Sequence, residues 1–308
     1  MKRDKVFEGI NSVMTTQFTK SGELDLEATQ RHAEYFARAG VSAVILTGSV
    51  GECANMTDAE RVQVWQAVRD VVKQELYVIG ATNHTSTRSA IALAQEAEQL
   101  GLDGIMNLSP YYWPSARGEH LRHYEALTKA TELPILLYNN PGVTQDCLSP
   151  SFLRELSDMD HITAIKQTGS LVIMEDMLRI AGDKIMILNG EGELYEPFPT
   201  IMGCPGVCSA LSNFLAPITV EIYALAKAGK YEESMALRRE LVNPITDYIF
   251  NPEIMSTWQA VAAYKHIEFK MGYSNGAMRP PAYALEPQHK EAVDRILIET
   301  GLLKRNAV

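Results

Sequence analysis

A lysine at the end of an apolar run is the residue in this sequence most suited to covalent chemistry. The segment HITAIKQTGS, residues 161–170, places Lys166 where a buried strand would end. Burial disfavours the charged form of an amine, and a neutral amine can attack a carbonyl carbon and form a Schiff base. The protonated imine withdraws electrons from the adjacent carbon, so a bond at that carbon can be made or broken. The alternative is a structural lysine that reaches the surface or pairs with a carboxylate.

A tyrosine ends the preceding apolar run. The segment LLYNNPG, residues 136–142, places Tyr138 just before a sharp turn. A phenol beside an imine can pass protons to and from the reacting centre. The alternative is a tyrosine that only packs a loop.

A third segment combines small residues with a hydroxyl. In LTGSVGEC, residues 46–53, Gly48, Ser49 and Gly51 follow an apolar run. Small residues let backbone N–H groups approach an anion, and the resulting concavity suits a carboxylate. The hydroxyl of Ser49 could relay protons. The alternative is a plain tight turn.

The elements that must position these residues alternate along the chain. Continuous apolar runs are typical of parallel strands covered on both faces. Eight such runs predict strands, at residues 9–18, 41–48, 76–82, 104–109, 134–139, 162–168, 184–190 and 206–213. Amphipathic helical patterns lie between them, for example at residues 25–40, 57–72 and 86–101.

This order predicts a closed (β/α)8 TIM barrel, in which functional groups collect at the carboxyl ends of the strands. A doubly wound open sheet is the rival fold, but it would need a glycine-rich phosphate loop after the first strand, and TTQFTKSGELD is not one. We expect a catalytic barrel over residues 1–225 and a C-terminal helical extension over residues 226–308.

Composition excludes several classes of function. The chain has 308 residues and a formal charge of −10, which argues against binding to nucleic acid or to an anionic membrane surface. The four cysteines lack a histidine cluster that would complete a zinc site, so free thiols are expected. The N-terminus has no apolar segment of a signal peptide, and no apolar run is long enough to span a membrane. A cytoplasmic location is therefore expected.

Taken together, the segments TTQF, GSVGE, SPYYWP, YNNP, AIKQT and GCPGVCSALSN resemble the dihydrodipicolinate synthase / N-acetylneuraminate lyase family of class I aldolase-type barrels. The likeness covers nearly the whole chain, and the 28-residue step from Tyr138 to Lys166 also fits the family. The order of the motifs is more specific than any single one.

The resemblance implies roles for individual residues. Lys166 would be the Schiff-base lysine and Tyr138 the general acid and base. Ser49, with its own amide and that of Val50, would hold the carboxylate of a 2-oxo acid. Gly190 and Cys208 match positions that line the family's pocket, and neither a metal nor an organic cofactor is implied.

The resemblance also implies an assembly. SPYYWP is similar to the segment that inserts a tyrosine across a subunit contact, and position matching selects Tyr112. Tyr112 would relay protons through Ser49 to Tyr138, which requires at least a dimer. Homotetramers built as dimers of dimers are typical of the family. Alternatively, Tyr111 and Tyr112 are plain interface aromatics.

Three departures from the family pattern concern the second substrate. The synthases usually carry two threonines where this chain has Ser49 and Val50, and an arginine where it has Val143. That arginine binds the carboxylate of the second substrate, so its absence argues against aspartate semialdehyde. The sialic acid lyases usually have an acidic pair after the seventh strand, where this chain has Glu191 and Glu193 separated by a glycine.

The sequence thus predicts a Schiff-base-forming lyase or aldolase that acts on pyruvate or a related 2-oxo acid. One alternative is a hydro-lyase or deaminase that acts on a hydroxy-pyrroline carboxylate or a 2-keto-3-deoxy sugar acid, because YNNP with TTQF is similar to a branch that includes pyrroline deaminases. Another is a barrel that binds a 2-oxo acid without turnover. The second substrate, the direction of reaction, the choice of dimer or tetramer, and any regulation are left open.

Overall fold

The computed structural model describes residues 5–72 and 75–305. The expectation that the chain begins without a signal peptide rests partly on residues 1–4, which lie outside the described residues. The strands are β1 Gly9–Val13, β2 Ala43–Leu46, β3 Tyr77–Ala81, β4 Gly104–Leu108, β5 Ile135–Asn139, β6 Ile162–Gln167, β7 Met186–Asn189 and β8 Gly206–Ser209.

Fourteen α-helices are found in this part of the chain. They are α1 Leu26–Ala39, α2 Asp58–Val72, α3 Thr87–Gln99, α4 Arg117–Thr128, α5 Pro141–Thr144, α6 Pro150–Leu156, α7 Leu171–Ala181, α8 Phe198–Met202, α9 Ser212–Lys227, α10 Tyr231–Leu237, α11 Asn243–Ile249, α12 Thr257–Lys270, α13 Pro287–Glu299 and α14 Leu302–Arg305.

The eight strands form a closed barrel. Each strand pairs in parallel with the next one along the chain, and β8 pairs with β1. Helices surround the barrel, and further helices follow its last strand. The predicted (β/α)8 TIM barrel with a C-terminal helical part is confirmed, and the doubly wound open sheet is excluded.

The alternation of side chains along each strand explains why the apolar runs are continuous. In β5, Leu136 and Tyr138 point into the barrel, whereas Ile135 and Leu137 pack outward against the helices. Both faces are therefore buried, as expected for parallel strands in a barrel. In β6, Ala164 is an interior residue, and Lys166, two residues further along the strand, lies on the same face.

The first and last strands are shorter than the sequence predicts. β1 ends at Val13, and the backbone N–H of Thr15 donates to the side chain of Asn213 at 3.0 Å instead of to a neighbouring strand. β8 ends at Ser209, since its hydroxyl accepts from the N–H of Ser212 at the start of α9. Side chains that bond to the backbone here replace the ladder and end the strands.

The helices after β8 share a second apolar cluster. It is formed by side chains of α9, α11, α12 and α13, among them Phe214, Ile245, Ile267 and Val293. The expected boundary between residues 225 and 226 falls near the end of α9.

A membrane-spanning segment would need a long, apolar helix, and the described residues contain none.

Candidate active site

Lys166 and Tyr138 lie side by side at the carboxyl ends of β6 and β5. Their backbones are directly paired in the barrel, and the Nζ atom of Lys166 lies 4.1 Å from the centroid of the Tyr138 ring. Both residues are buried, with 6% and 5% of their surface exposed. Within residues 5–72 and 75–305, Lys166 has no ion-pair partner, so the carboxylate that a structural lysine would need is not found there.

The phenol of Tyr138 has one defined hydrogen bond. The side-chain amide of Asn140 donates to its oxygen at 2.8 Å. Because this bond uses a lone pair of the phenol oxygen, the O–H remains able to donate to another group. Asn140 lines the same cavity as Tyr138 and Lys166.

A cavity of about 700 Å³ opens above these two residues. Its wall includes Val50, Gly190 and Cys208 together with Lys166 and Tyr138, so five of the predicted site residues meet here. Such a volume accommodates a small organic substrate. Among the described residues, Lys166 is the only cationic side chain in the cavity wall.

The remaining predicted residues lie elsewhere in the single chain. Gly48 and Ser49 belong to the same loop as Val50, but they are not part of the cavity wall, and the side chain of Ser49 is exposed. Tyr112 is 69% exposed and lines a separate depression beside Trp113. One chain therefore does not bring Tyr112 to Lys166.

Two of the wall residues have clear physical roles. The backbone N–H of Gly190 donates to the carbonyl of Gln167 at 2.8 Å, and a side chain at this position would collide with that carbonyl. Glycine thus lets β7 approach the strand that carries Lys166. Burial raises the pKa of the Cys208 thiol to about 11, although the charge of Lys166 lowers it, so the thiol is neutral at pH 7.

The sequence analysis named Glu193 only as a departure from the sialic acid lyase pattern and did not predict that it is a buried carboxyl group in the cavity wall. Glu193 follows β7, has 1% of its surface exposed, and accepts hydrogen bonds from the hydroxyls of Ser209 and Thr219. Burial raises its pKa, and the two hydroxyl bonds oppose that shift. The sequence offered one signal, an acidic residue in the short segment that follows the seventh apolar run.

The helical extension also contributes to the cavity. Ala260, Val261 and Tyr264 of α12 line the wall opposite the strands. The sequence predicted a C-terminal helical extension over residues 226–308 but gave no sign that it contributes to the site. No cluster of three or more metal-ligating side chains occurs in the described part of the chain.

Nearly the whole chain resembles proteins of one known family. The chain matches the Dihydrodipicolinate synthetase family over residues 6–300. It is 30% identical over 301 residues to 4-hydroxy-tetrahydrodipicolinate synthase of Synechococcus sp. (strain JA-2-3B'a(2-13)), with 96% of this chain and 95% of that protein covered. It is 31% identical to the enzyme of the same name from Moorella thermoacetica, with 96% and 98% covered.

Solved structures agree with this match. Dihydrodipicolinate synthase from Acinetobacter baumannii, in complex with pyruvate, has a TM-score of 0.88 at 25% identity and covers 96% of this chain and 99% of its own. A prophage protein of the dihydrodipicolinic acid synthase family from E. coli K12, also in complex with pyruvate, has a TM-score of 0.88 at 26% identity and covers 96% of this chain and 99% of its own.

Proposed function

Since this chain belongs to the dihydrodipicolinate synthetase family, we propose that Lys166 binds pyruvate or a related 2-oxo acid as a Schiff base and that Tyr138 moves the protons. The protein is a class I aldolase-type enzyme that acts on a small 2-oxo acid. The observation that supports the proposed roles best is the contact of 4.1 Å between the amine and the phenol ring in a buried cavity.

The chemistry begins at the ketone. The lone pair of the Lys166 amine attacks the carbonyl carbon, and the oxygen leaves as water after it has taken up two protons. The resulting iminium acidifies the neighbouring carbon, whose proton is removed to give an enamine. The enamine attacks an aldehyde in the direction of synthesis, and the same steps in reverse cleave a carbon–carbon bond. In this proposal the phenol of Tyr138 carries these protons.

The carboxylate of the 2-oxo acid would be held at the loop after β2. Val50 lines the cavity there, and Gly48 and Ser49 precede it in the loop. Backbone N–H groups at such a loop can bind a carboxylate without a cationic side chain. Gly190 and Cys208 would form the neighbouring part of the substrate pocket.

We propose that the second reactant is not held through a carboxylate. Lys166 is the only cationic side chain of the cavity wall in the described residues, and the position at which the synthases carry an arginine is Val143, with 39% of its surface exposed. Charge-assisted hydrogen bonds are the usual means of holding a carboxylate. Hydroxyl-bearing aldehydes therefore suit this site better than aspartate semialdehyde does.

We further propose a homotetramer built from dimers, located in the cytoplasm. Tyr112 and Trp113 support a subunit contact because they are 69% and 75% exposed and stack edge to face, with 5.2 Å between the ring centroids. Large aromatic side chains exposed together are typical of interfaces. Tyr112 would then reach Ser49 and Tyr138 of a neighbouring subunit. The free thiol state of all four cysteines fits a reducing compartment.

A substrate panel tests this proposal. Pyruvate is offered with aspartate semialdehyde or with neutral hydroxy aldehydes, and the reverse reaction is assayed with 2-keto-3-deoxy sugar acids and hydroxy-pyrroline carboxylates. Pyruvate and ammonia are measured separately. We expect turnover with neutral partners that disappears in Lys166→Ala; ammonia or water release without pyruvate would favour the deaminase or hydro-lyase, and a preference for aspartate semialdehyde would contradict the proposed second substrate.

A further inference from the structure

A fully buried ion pair connects the C-terminal helices to the loop after β2. The Nζ atom of Lys265 pairs with a carboxylate oxygen of Glu52, and both side chains have no exposed surface. The two residues are more than two hundred positions apart in the chain. Neither belongs to the wall of the cavity, but Val50, two residues before Glu52, and Tyr264, next to Lys265, do.

Glu52 ends the loop that contains Ser49 and Val50. Its backbone is in the left-handed region, with φ of 58°, and its N–H donates to the carbonyl of Ser49 at 3.1 Å. A side chain at the preceding Gly51 would approach the carbonyl of Met14 to 2.9 Å, so the loop is tightly packed against the end of β1. Left-handed backbone at a non-glycine residue is strained and persists only where the surroundings hold it.

Lys265 lies on α12, the helix that covers the cavity. Its Nζ atom also donates to the carbonyl of Ala277 at 3.1 Å and lies 4.4 Å from the centroid of the Phe18 ring. The adjacent Tyr264 lines the cavity. The charged head of Lys265 is thus fixed from three sides.

The same helix also holds the segment after β1. Glu268 is buried and accepts hydrogen bonds from the hydroxyl of Thr15 and the amide of Gln17, both at 2.8 Å. One helix therefore forms part of the cavity wall and binds two loops at the mouth of the barrel. Burial lowers the pKa of Lys265, and the negative charge of Glu52 opposes that shift.

Stability alone is a weak reason for such a pair. Buried charges lose their hydration, and apolar residues of similar volume often stabilise a protein equally well. We propose that Lys265 and Glu52 are positioning residues that hold the Val50 loop in the geometry required to bind the carboxylate of the 2-oxo acid. This inference rests on the proposed function of that loop.

The pair should then affect substrate binding more than the chemical step. A misaligned loop weakens the bonds to the carboxylate in the ground state and in the transition state alike, which raises KM and leaves kcat nearly unchanged. The amine and phenol that carry the chemistry belong to β5 and β6 and are not held by this pair.

The test is the double variant Glu52→Gln with Lys265→Met, since a single change leaves one charge buried without its partner and can unfold the protein. Lys270→Met is the matched control, because Lys270 lies on the same helix and pairs with Asp294 at 2.7 Å, at an exposed site. KM and kcat are measured for pyruvate, and thermal unfolding is followed. The rate at which borohydride reduces the Schiff base between pyruvate and Lys166 to a stable adduct, called trapping below, is measured at low and at saturating pyruvate.

For a folded double variant, we expect KM for pyruvate to rise about tenfold or more, with kcat within about threefold of the original value, because one charge-assisted hydrogen bond is of that strength. Trapping should be slow at low pyruvate and normal at saturation, and Lys270→Met should behave like the unchanged protein. An unchanged KM in the double variant would overturn the positioning role. If the double variant does not fold, Glu52→Asp, which keeps both charges but shortens the reach of the carboxylate, is measured instead, and an unchanged KM there would overturn the role as well.

Failure of the proposed function would look different. The unchanged protein would then show no trapping with pyruvate at any concentration. A trapped adduct in the unchanged protein together with a normal KM in the variants would reject only the positioning role.

Discussion

At the scale of single residues, an amine and a phenol are placed together by strand pairing. The backbones of Tyr138 and Lys166 are partners in the ladder between β5 and β6, and both side chains point into the barrel. Neither depends on a flexible loop for its position. Rigid strands hold reacting groups to within a fraction of an ångström, as catalysis demands.

Replacement of the phenol should separate adduct formation from proton transfer. In Tyr138→Phe the ring stays and the hydroxyl is lost, so we expect kcat to fall about 100-fold or more, as is typical when a general acid and base is removed. Lys166 should still be trapped with pyruvate and borohydride, though more slowly. Steady-state kinetics and mass spectrometry measure the two effects.

Tyr77→Phe is the control for this change. Tyr77 begins β3 at the opposite end of the barrel and is half-buried. Its variant should keep normal turnover. If Tyr138→Phe turned over normally as well, Tyr138 would not be the proton carrier.

At the scale of elements, buried polar contacts fix the helices that surround the mouth. On α4, His123 is buried, and one ring nitrogen lies 2.9 Å from the side-chain oxygen of Asn107 while the other lies 2.9 Å from the hydroxyl of Thr87. The amide group of Asn107 donates to Thr82, so its oxygen must accept from the imidazole. Nε2 is therefore protonated, and the ring connects α4 to α3 and β4.

This histidine predicts how stability changes with pH. Burial, and to a smaller extent the nearby His120, lowers the pKa of His123 to about 4. In the unfolded chain its pKa is near the ordinary value of 6.5, so the unfolded state takes up a proton first as the pH falls. The free energy of unfolding should decrease by about 2–3 kcal/mol between roughly pH 6.5 and pH 4 for this reason.

Urea unfolding at pH 7.5 and at pH 4.5 checks the effect. His123→Gln should lose most of this pH dependence, since glutamine can still donate and accept but does not titrate. His84→Gln is the control, because His84 is 31% exposed. Equal pH dependence in all three proteins would contradict a buried neutral His123.

The strands and helices show how much of the fold could be predicted from the sequence. Apolar runs located all eight strands, because strands buried on both faces have a strong signature. The predicted β1 and β8 were too long. Their ends are set by side chains that bond to the backbone, since Asn213 accepts from the N–H of Thr15 and Ser209 accepts from the N–H of Ser212. A helical extension over residues 226–308 was predicted, but the place of α12 at the cavity was not, since no local pattern encodes a contact between Lys265 and Glu52.

At the scale of the whole molecule, the barrel and its C-terminal helices form the cavity wall, and the proposed assembly would add Tyr112 from a neighbouring subunit. Tyr112 and Trp113 stand exposed on the single chain, away from the main cavity. The positions of Lys166 and Tyr138 at strand ends could be predicted from the apolar runs, whereas their proposed roles, like that of Tyr112, came from the family resemblance. A single chain cannot show whether Tyr112 reaches the site, because its proposed role depends on a second chain.

Mixed subunits test whether Tyr112 acts across a contact. We expect Tyr112→Phe to lower kcat about tenfold or more through loss of a proton relay, and Lys166→Ala to be inactive. Mixing the two variants, with reversible dissociation, should restore activity, because a site with an intact Lys166 then receives an intact Tyr112. A mixture of Lys166→Ala with the double variant Lys166→Ala/Tyr112→Phe should stay inactive. Normal turnover by Tyr112→Phe alone, or no recovery in the first mixture, would contradict the relay.

The most direct measurement is to treat the protein with pyruvate and borohydride, digest it, and locate the modified lysine by mass spectrometry. We expect a single reduced adduct on the peptide that contains Lys166, and none in Lys166→Ala. An adduct on another lysine, or no adduct with pyruvate or any other small 2-oxo acid, would contradict the proposed mechanism.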